Sequence, residues 1–129
     1  MERKVLSSPR GPEAKGPYSA AVAYGNMVFV SGQGPIDPAT GEVVGETVEE
    51  QLRRALENVR LILEDVGSSL DHVLKVTLYL KNMDDFSQAN AVYREFFREG
   101  NYPARTTVQA RLPLDIMVEV DAVACIPEG

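Results

Sequence analysis

A chain of 129 residues, 44% hydrophobic and 25% charged, has the make-up of one globular domain able to bury a core, and is too apolar to be disordered. Thirteen Lys+Arg against nineteen Asp+Glu give a formal charge of -6, which disfavours nucleic acid as the main partner. Cys125 is the only cysteine and His72 the only histidine, so an internal disulfide is excluded and a zinc site nearly so. No metal or other cofactor is expected.

Residues 1 to 17 are rich in proline, glycine, serine and charge, and the first fifteen read as an extended arm. No apolar signal core opens the chain, and no run approaches the roughly 18 apolar residues of a membrane span. A cytoplasmic protein without membrane contact is expected. Ser19 to Tyr24 and Met27 to Ser31 are short apolar runs around Gly25-Asn26, a pair that tolerates positive φ, and predict a β-hairpin. Gly32 and Gly34 are a weak phosphate-loop signal, because Pro35 removes a donor and no third glycine opens a helix. Turn residues dominate Ile36 to Val44, which predicts a small excursion.

Thr47-Val48-Glu49-Glu50 matches a capping box. Val48, Leu52, Ala55, Leu56, Val59, Leu63 and Val66 then recur at helical spacing until Gly67, predicting an amphipathic helix with a charged, solvated outer face. Val73 to Leu80 has the length and β-branched content of a strand, and His72 at its entry reads as structural. Asn82 to Asp85 supplies helix-start chemistry for a second helix ending near Gly100, with Phe86, Ala89, Tyr93, Phe96 and Phe97 as its core stripe. Asn90 falls at the edge of that stripe, where its amide must find partners.

Tyr102-Pro103 blocks helix, and Thr106-Thr107-Val108 favours a strand with Arg105 at its mouth. Alternation puts Arg105, Thr107 and Gln109 on one face. A rigidly mounted guanidinium suits a small organic carboxylate, although spacing alone favours a surface ion pair. In the last strand Ile116, Val118, Val120, Ala122 and Ala124 form an apolar face that should meet the helices, while Met117, Glu119, Asp121 and Val123 mix charge with apolar surface. That second face needs cover, and a homo-oligomer interface is the expected one.

Taken together, Gly16-Pro17-Tyr18-Ser19, Val30-Ser31-Gly32-Gln33, Asn90-Ala91-Val92-Tyr93, Tyr102 to Val108 and Val118 to Ala124 resemble the Rid/YjgF family of reactive-intermediate (enamine/imine) deaminases, in order along the chain. The resemblance implies an α+β, chorismate-mutase-like subunit, a mixed β-sheet with two α-helices packed on one face. It implies one domain over residues 1–129, a homotrimer with sites between subunits, and hydrolysis of 2-iminobutanoate or 2-iminopropanoate to 2-keto acids and ammonia. By the same resemblance Arg105 would clamp the substrate carboxylate and Glu119 would orient the attacking water, with Asp121 as its rival. Tyr18, Ser31, Gly32, Asn90 and the backbone at Thr107 would shape the pocket. Thr107 stands where many members of the archetypal subfamily carry cysteine, and Gly34 where a branched apolar residue is common. A carboxylate sensor without turnover is the competing expectation; RNA cleavage, reported for relatives, fits poorly with the charge and the single histidine.

Overall fold

The computed structural model describes residues 1–128. Six strands, Arg3–Leu6 (β1), Ala21–Tyr24 (β2), Met27–Gln33 (β3), Val73–Leu80 (β4), Ala104–Gln109 (β5) and Val118–Cys125 (β6), form one sheet in the order β1-β2-β3-β6-β4-β5. Only β4 and β5 pair in parallel, joined by the second helix as a crossover, so the sheet is mixed. Two helices, Val48–Asp65 (α1) and Phe86–Phe96 (α2), follow β3 and β4. The α+β architecture expected from the sequence is the one observed.

The first residues are less of an arm than their composition predicts. Arg3–Leu6 adds an edge strand to β2, and Asp65 at the end of α1 accepts hydrogen bonds from the Ser8 hydroxyl and from Arg10 Nε. Proline and glycine misled here because they crowd residues 9–17, beyond the paired segment. The β2–β3 hairpin turns at Gly25-Asn26 as predicted, but only Gly25 has positive φ, the glycine-first arrangement of a II′ turn.

The α1 start carries its capping contact, with Thr47 Oγ1 accepting from the Glu50 amide at 3.2 Å. Its buried stripe also includes Ile62 and two polar residues, Gln51 and Asn58. Asn58 is fully buried and satisfied on both ends: Nδ2 donates to the carbonyls of Gly34 and Ile36, and Oδ1 accepts from Arg54. Gln51 likewise bonds Gly45 and Met117. These side chains bond backbone that leaves the sheet, and so fix the loops at one end of the β3–β6 pair.

The second helix ends at Phe96, short of Gly100, and Phe97 is already extended. Ala89, Val92 and Tyr93 are buried in the core, whereas Phe86, expected there, is 39% exposed. Both helices cover the same face of the sheet: Val76, Leu78 and Leu80 of β4 and Val118, Val120, Ala122 and Ala124 of β6 pack beneath them as one apolar layer. Burial of this layer is the main stabilising contribution. No helix of the described residues is long and apolar enough to cross a membrane.

Candidate functional site

Strand register decides where each candidate side chain points. Arg105 is opposite Val76, which is opposite Ala122, so Arg105 shares the helix-covered face. Glu119 is opposite Tyr79, one step out of phase, and projects from the bare face. The two residues expected to carry the chemistry therefore lie on opposite sides of one sheet.

On the helix side, Arg105 is held by α2. Its Nη2 donates to Asn90 Oδ1 at 2.8 Å, and its guanidinium carbon lies 4.6 Å from the Tyr93 ring centroid and 5.6 Å from that of Phe86. Stacking on two rings fixes the plane of the fork while leaving its edge free. No described carboxylate forms an ion pair with it, so the surface-pair reading that spacing favoured does not apply. Beside it opens a cavity of about 260 Å³ lined by Asn90, Tyr93, Arg94, Tyr102, Pro103 and Arg105. Thr107 lines neither this cavity nor the next. It lies on β5, a sheet edge, where one row of backbone groups has no strand partner.

On the bare side, the β3–β6 register slips between Val30 and Gln33, so that Ser31 and Gly32 bulge out of the ladder. A Cβ at Gly32 would collide with the Glu119 carboxylate, which explains why the chain carries glycine there. Ser31 is anchored by donating its hydroxyl to the Ser19 carbonyl, and it does not line the adjacent cavity. That cavity, of about 290 Å³, brings Tyr18, Gly32 and Glu119 together with the apolar Ala20, Ile36 and Ile116. Leu114 at its rim is 73% exposed and held at φ 58°, a strained position for a branched residue.

Burial pushes the Glu119 carboxyl above its ordinary range, and the charge of Asp121 pushes it the same way. Asp121 itself accepts a hydrogen bond from the Tyr79 hydroxyl at 2.8 Å, and that contact raises the phenol. Asp121, the sequence rival, is thus occupied, while Glu119 has no hydrogen-bond partner among the described residues and a raised proton affinity. Among the described residues no cluster of three or more His, Cys, Asp or Glu could hold a metal ion. His72 sits in a 3-10 turn with Nδ1 2.8 Å from Ser69 Oγ and lines neither cavity.

Tyr93 is core, as its spacing predicts, and it also supports the arginine together with the half-exposed Phe86, a role the stripe alone does not predict. Their place on the stripe next to Asn90 was the available signal.

A family profile described as Endoribonuclease L-PSP matches residues 9–126. The chain belongs to the Rid/YjgF family. Among Rid/YjgF relatives, a RutC family protein of Pyrococcus abyssi is 47% identical over 125 residues, covering 96% of this chain and 98% of that one. A 2-iminobutanoate/2-iminopropanoate deaminase of Salmonella typhimurium is 44% identical over 124 residues, covering 94% and 96%. The crystal structure of Escherichia coli TdcF with bound serine superposes with a TM-score of 0.87 at 40% identity, covering 95% of this chain and 98% of that one.

Proposed function

We propose that this Rid/YjgF protein hydrolyses 2-imino acids such as 2-iminobutanoate and 2-iminopropanoate to 2-keto acids and ammonia, in sites assembled between subunits of a homotrimer. The observation that carries this reading is Arg105: a guanidinium fixed by Asn90 and two aromatic rings, unpaired with any described carboxylate, at the wall of a cavity. Such a fork is preorganised for two parallel hydrogen bonds to a carboxylate. The deaminase named among its relatives supports the substrate class.

Because Glu119 projects from the other face, the Arg105 cavity of one subunit must meet the Glu119 cavity of a neighbour for both to act on one molecule. The bare sheet face is suited to such contact: Phe29 is 48% exposed with half-buried Val22 and Val123 beside it, and half-buried Val108 lies on the same face three strands away. In the assembled site Arg105 and Asn90 fix the acid end. Tyr18 and Gly32, with backbone at Thr107, bound the imine end, and Ser31 holds the bulge that presents Gly32.

The chemistry then needs little more than a placed water. Glu119 takes a proton from the water as its oxygen bonds to the imine carbon and the C=N pair moves onto nitrogen, and it passes that proton to the nitrogen to give a carbinolamine. The carboxylate then takes the carbinolamine hydroxyl proton and delivers it to nitrogen as the C=O bond forms and the C–N bond breaks, releasing ammonia and leaving the keto acid. A raised proton affinity suits a group that must both accept and return a proton near neutral pH.

A second reading, binding without turnover, draws on the serine found in the TdcF structure. A threonine dehydratase that generates the imine, coupled to ammonia release, separates the two. Acceleration by the wild type and its loss in Arg105→Ala support hydrolysis; 2-ketobutyrate binding without acceleration supports the sensor. RNA cleavage, the activity in the family description, has little support in a chain of charge -6 whose one histidine bonds Ser69.

A further inference from the structure

Tyr93 contains the one buried side-chain oxygen or nitrogen among the described residues that has no hydrogen-bond partner. The residue is 4% exposed, and its ring is clamped between Phe97, at 4.7 Å between centroids, and the Arg105 guanidinium. The hydroxyl lies on the ring axis, so rotation of the ring cannot carry it to another partner. Folded proteins rarely leave a buried hydroxyl unsatisfied, and one that persists beside a cavity points to something bound there.

We propose that the Tyr93 hydroxyl is a ligand contact, donating a hydrogen bond to the carboxylate that Arg105 grips. The inference rests on the carboxylate-binding reading of the site given above. Tyr93 lines the same cavity of about 260 Å³ as Arg105, and Asn90, one turn earlier on α2, occupies only one of the five guanidinium donors. A carboxylate has lone pairs for two guanidinium bonds and for further donors, so a neutral O–H beside the cation completes its shell without repelling it. Burial holds the phenol protonated, its pKa pushed up to about 12 against the opposing pull of Arg105. Tyr93 is therefore a donor at neutral and mildly alkaline pH, where the carboxylate is charged.

Tyr93→Phe removes the oxygen and keeps the ring. Titration of 2-ketobutyrate into the wild type and this variant by calorimetry is the test, with thermal melting and steady-state kinetics on both. The expected result is a dissociation constant raised about tenfold and a KM raised more than kcat falls, with a melting temperature equal to or above the wild type's. A lower melting temperature with unchanged affinity assigns the hydroxyl to the core and overturns the proposal. Unchanged affinity at unchanged stability assigns it to a trapped water and overturns it too. Wild-type protein that binds no keto acid overturns the carboxylate reading along with it, whereas wild-type binding that Arg105→Ala abolishes and Tyr93→Phe leaves intact overturns only this inference.

Discussion

Arg105 and Glu119 project from opposite faces of one β-sheet, Arg105 in register with Val76 and Glu119 with Tyr79. A single subunit cannot bring a clamp and a base so placed to one small molecule. Each half has its own cavity: one holds the braced Arg105 guanidinium with no carboxylate in its lining, and the other holds Glu119 with Lys15 as its only lining cation.

Arginine at 105 is required for its shape as well as its charge. Arg105→Lys keeps the charge but loses the planar fork, the Asn90 contact and the stacking on Tyr93, and lowers kcat/KM by about 10- to 100-fold, most of it in KM. Steady-state kinetics on the 2-iminobutanoate reaction, with circular dichroism to show an unchanged fold, check this.

The raised Glu119 carboxyl gives a pH signature. Activity that needs the carboxylate rises with pH through the Glu119 pKa, which lies above the ordinary 4.5. Asp121→Asn removes the neighbouring charge, lowers that pKa and moves the acid limb of the kcat/KM profile to lower pH. The stability effect has the opposite sense. A carboxyl whose pKa is higher folded than unfolded stabilises fully below its unfolded value, and loses that contribution as pH rises through its folded value. The melting temperature of Glu119→Gln relative to wild type therefore increases with pH across that window. A difference that falls with pH contradicts the burial cause.

Gly32 is where an added methyl should separate activity from folding. The alanine Cβ occupies the place of the Glu119 carboxylate, so Gly32→Ala displaces the proposed base and lowers kcat by about tenfold or more, while stability changes by no more than about 0.5 kcal/mol because the displaced atoms are the unpartnered end of a flexible side chain. A paired reading of kcat and urea denaturation tests both halves of that statement.

Asn58 holds the Gly34–Ile36 wall of the Glu119 cavity from a fully buried position. Asn58→Ala strands two carbonyls and the Arg54 contact, and lowers stability by about 3 kcal/mol or more. Chemical denaturation measures it directly.

Much of this was legible in the sequence, for physical reasons that differ by element. The stripe of α1 and the alternation of β6 were readable because one face of each is buried against the other. The Gly25 turn was readable because few residues accept its φ. The parallel pairing of β4 with β5 was readable only from the helix between them, since period-2 alternation is the same for either direction. Asn58 and Gln51 sit on the apolar spacing of α1 but are polar; their burial depends on backbone groups outside the helix, at Gly34, Ile36, Gly45 and Met117, which no helical pattern encodes. For the same reason Phe86 looked like core, because its true neighbour, Arg105, arrives from a strand nineteen residues later.

The claim on which the account rests, that one site takes Arg105 from one subunit and Glu119 from another, is open to a subunit-mixing experiment. Arg105→Ala and Glu119→Gln, each inactive alone, are denatured, mixed in equal amounts and refolded together, and ammonia release from 2-iminobutanoate is measured. Random mixing in a cyclic assembly gives each site an intact arginine from one variant and an intact glutamate from the other in about a quarter of cases, so about a quarter of wild-type activity returns. A mixture that assembles fully yet stays as inactive as its parents contradicts the shared site.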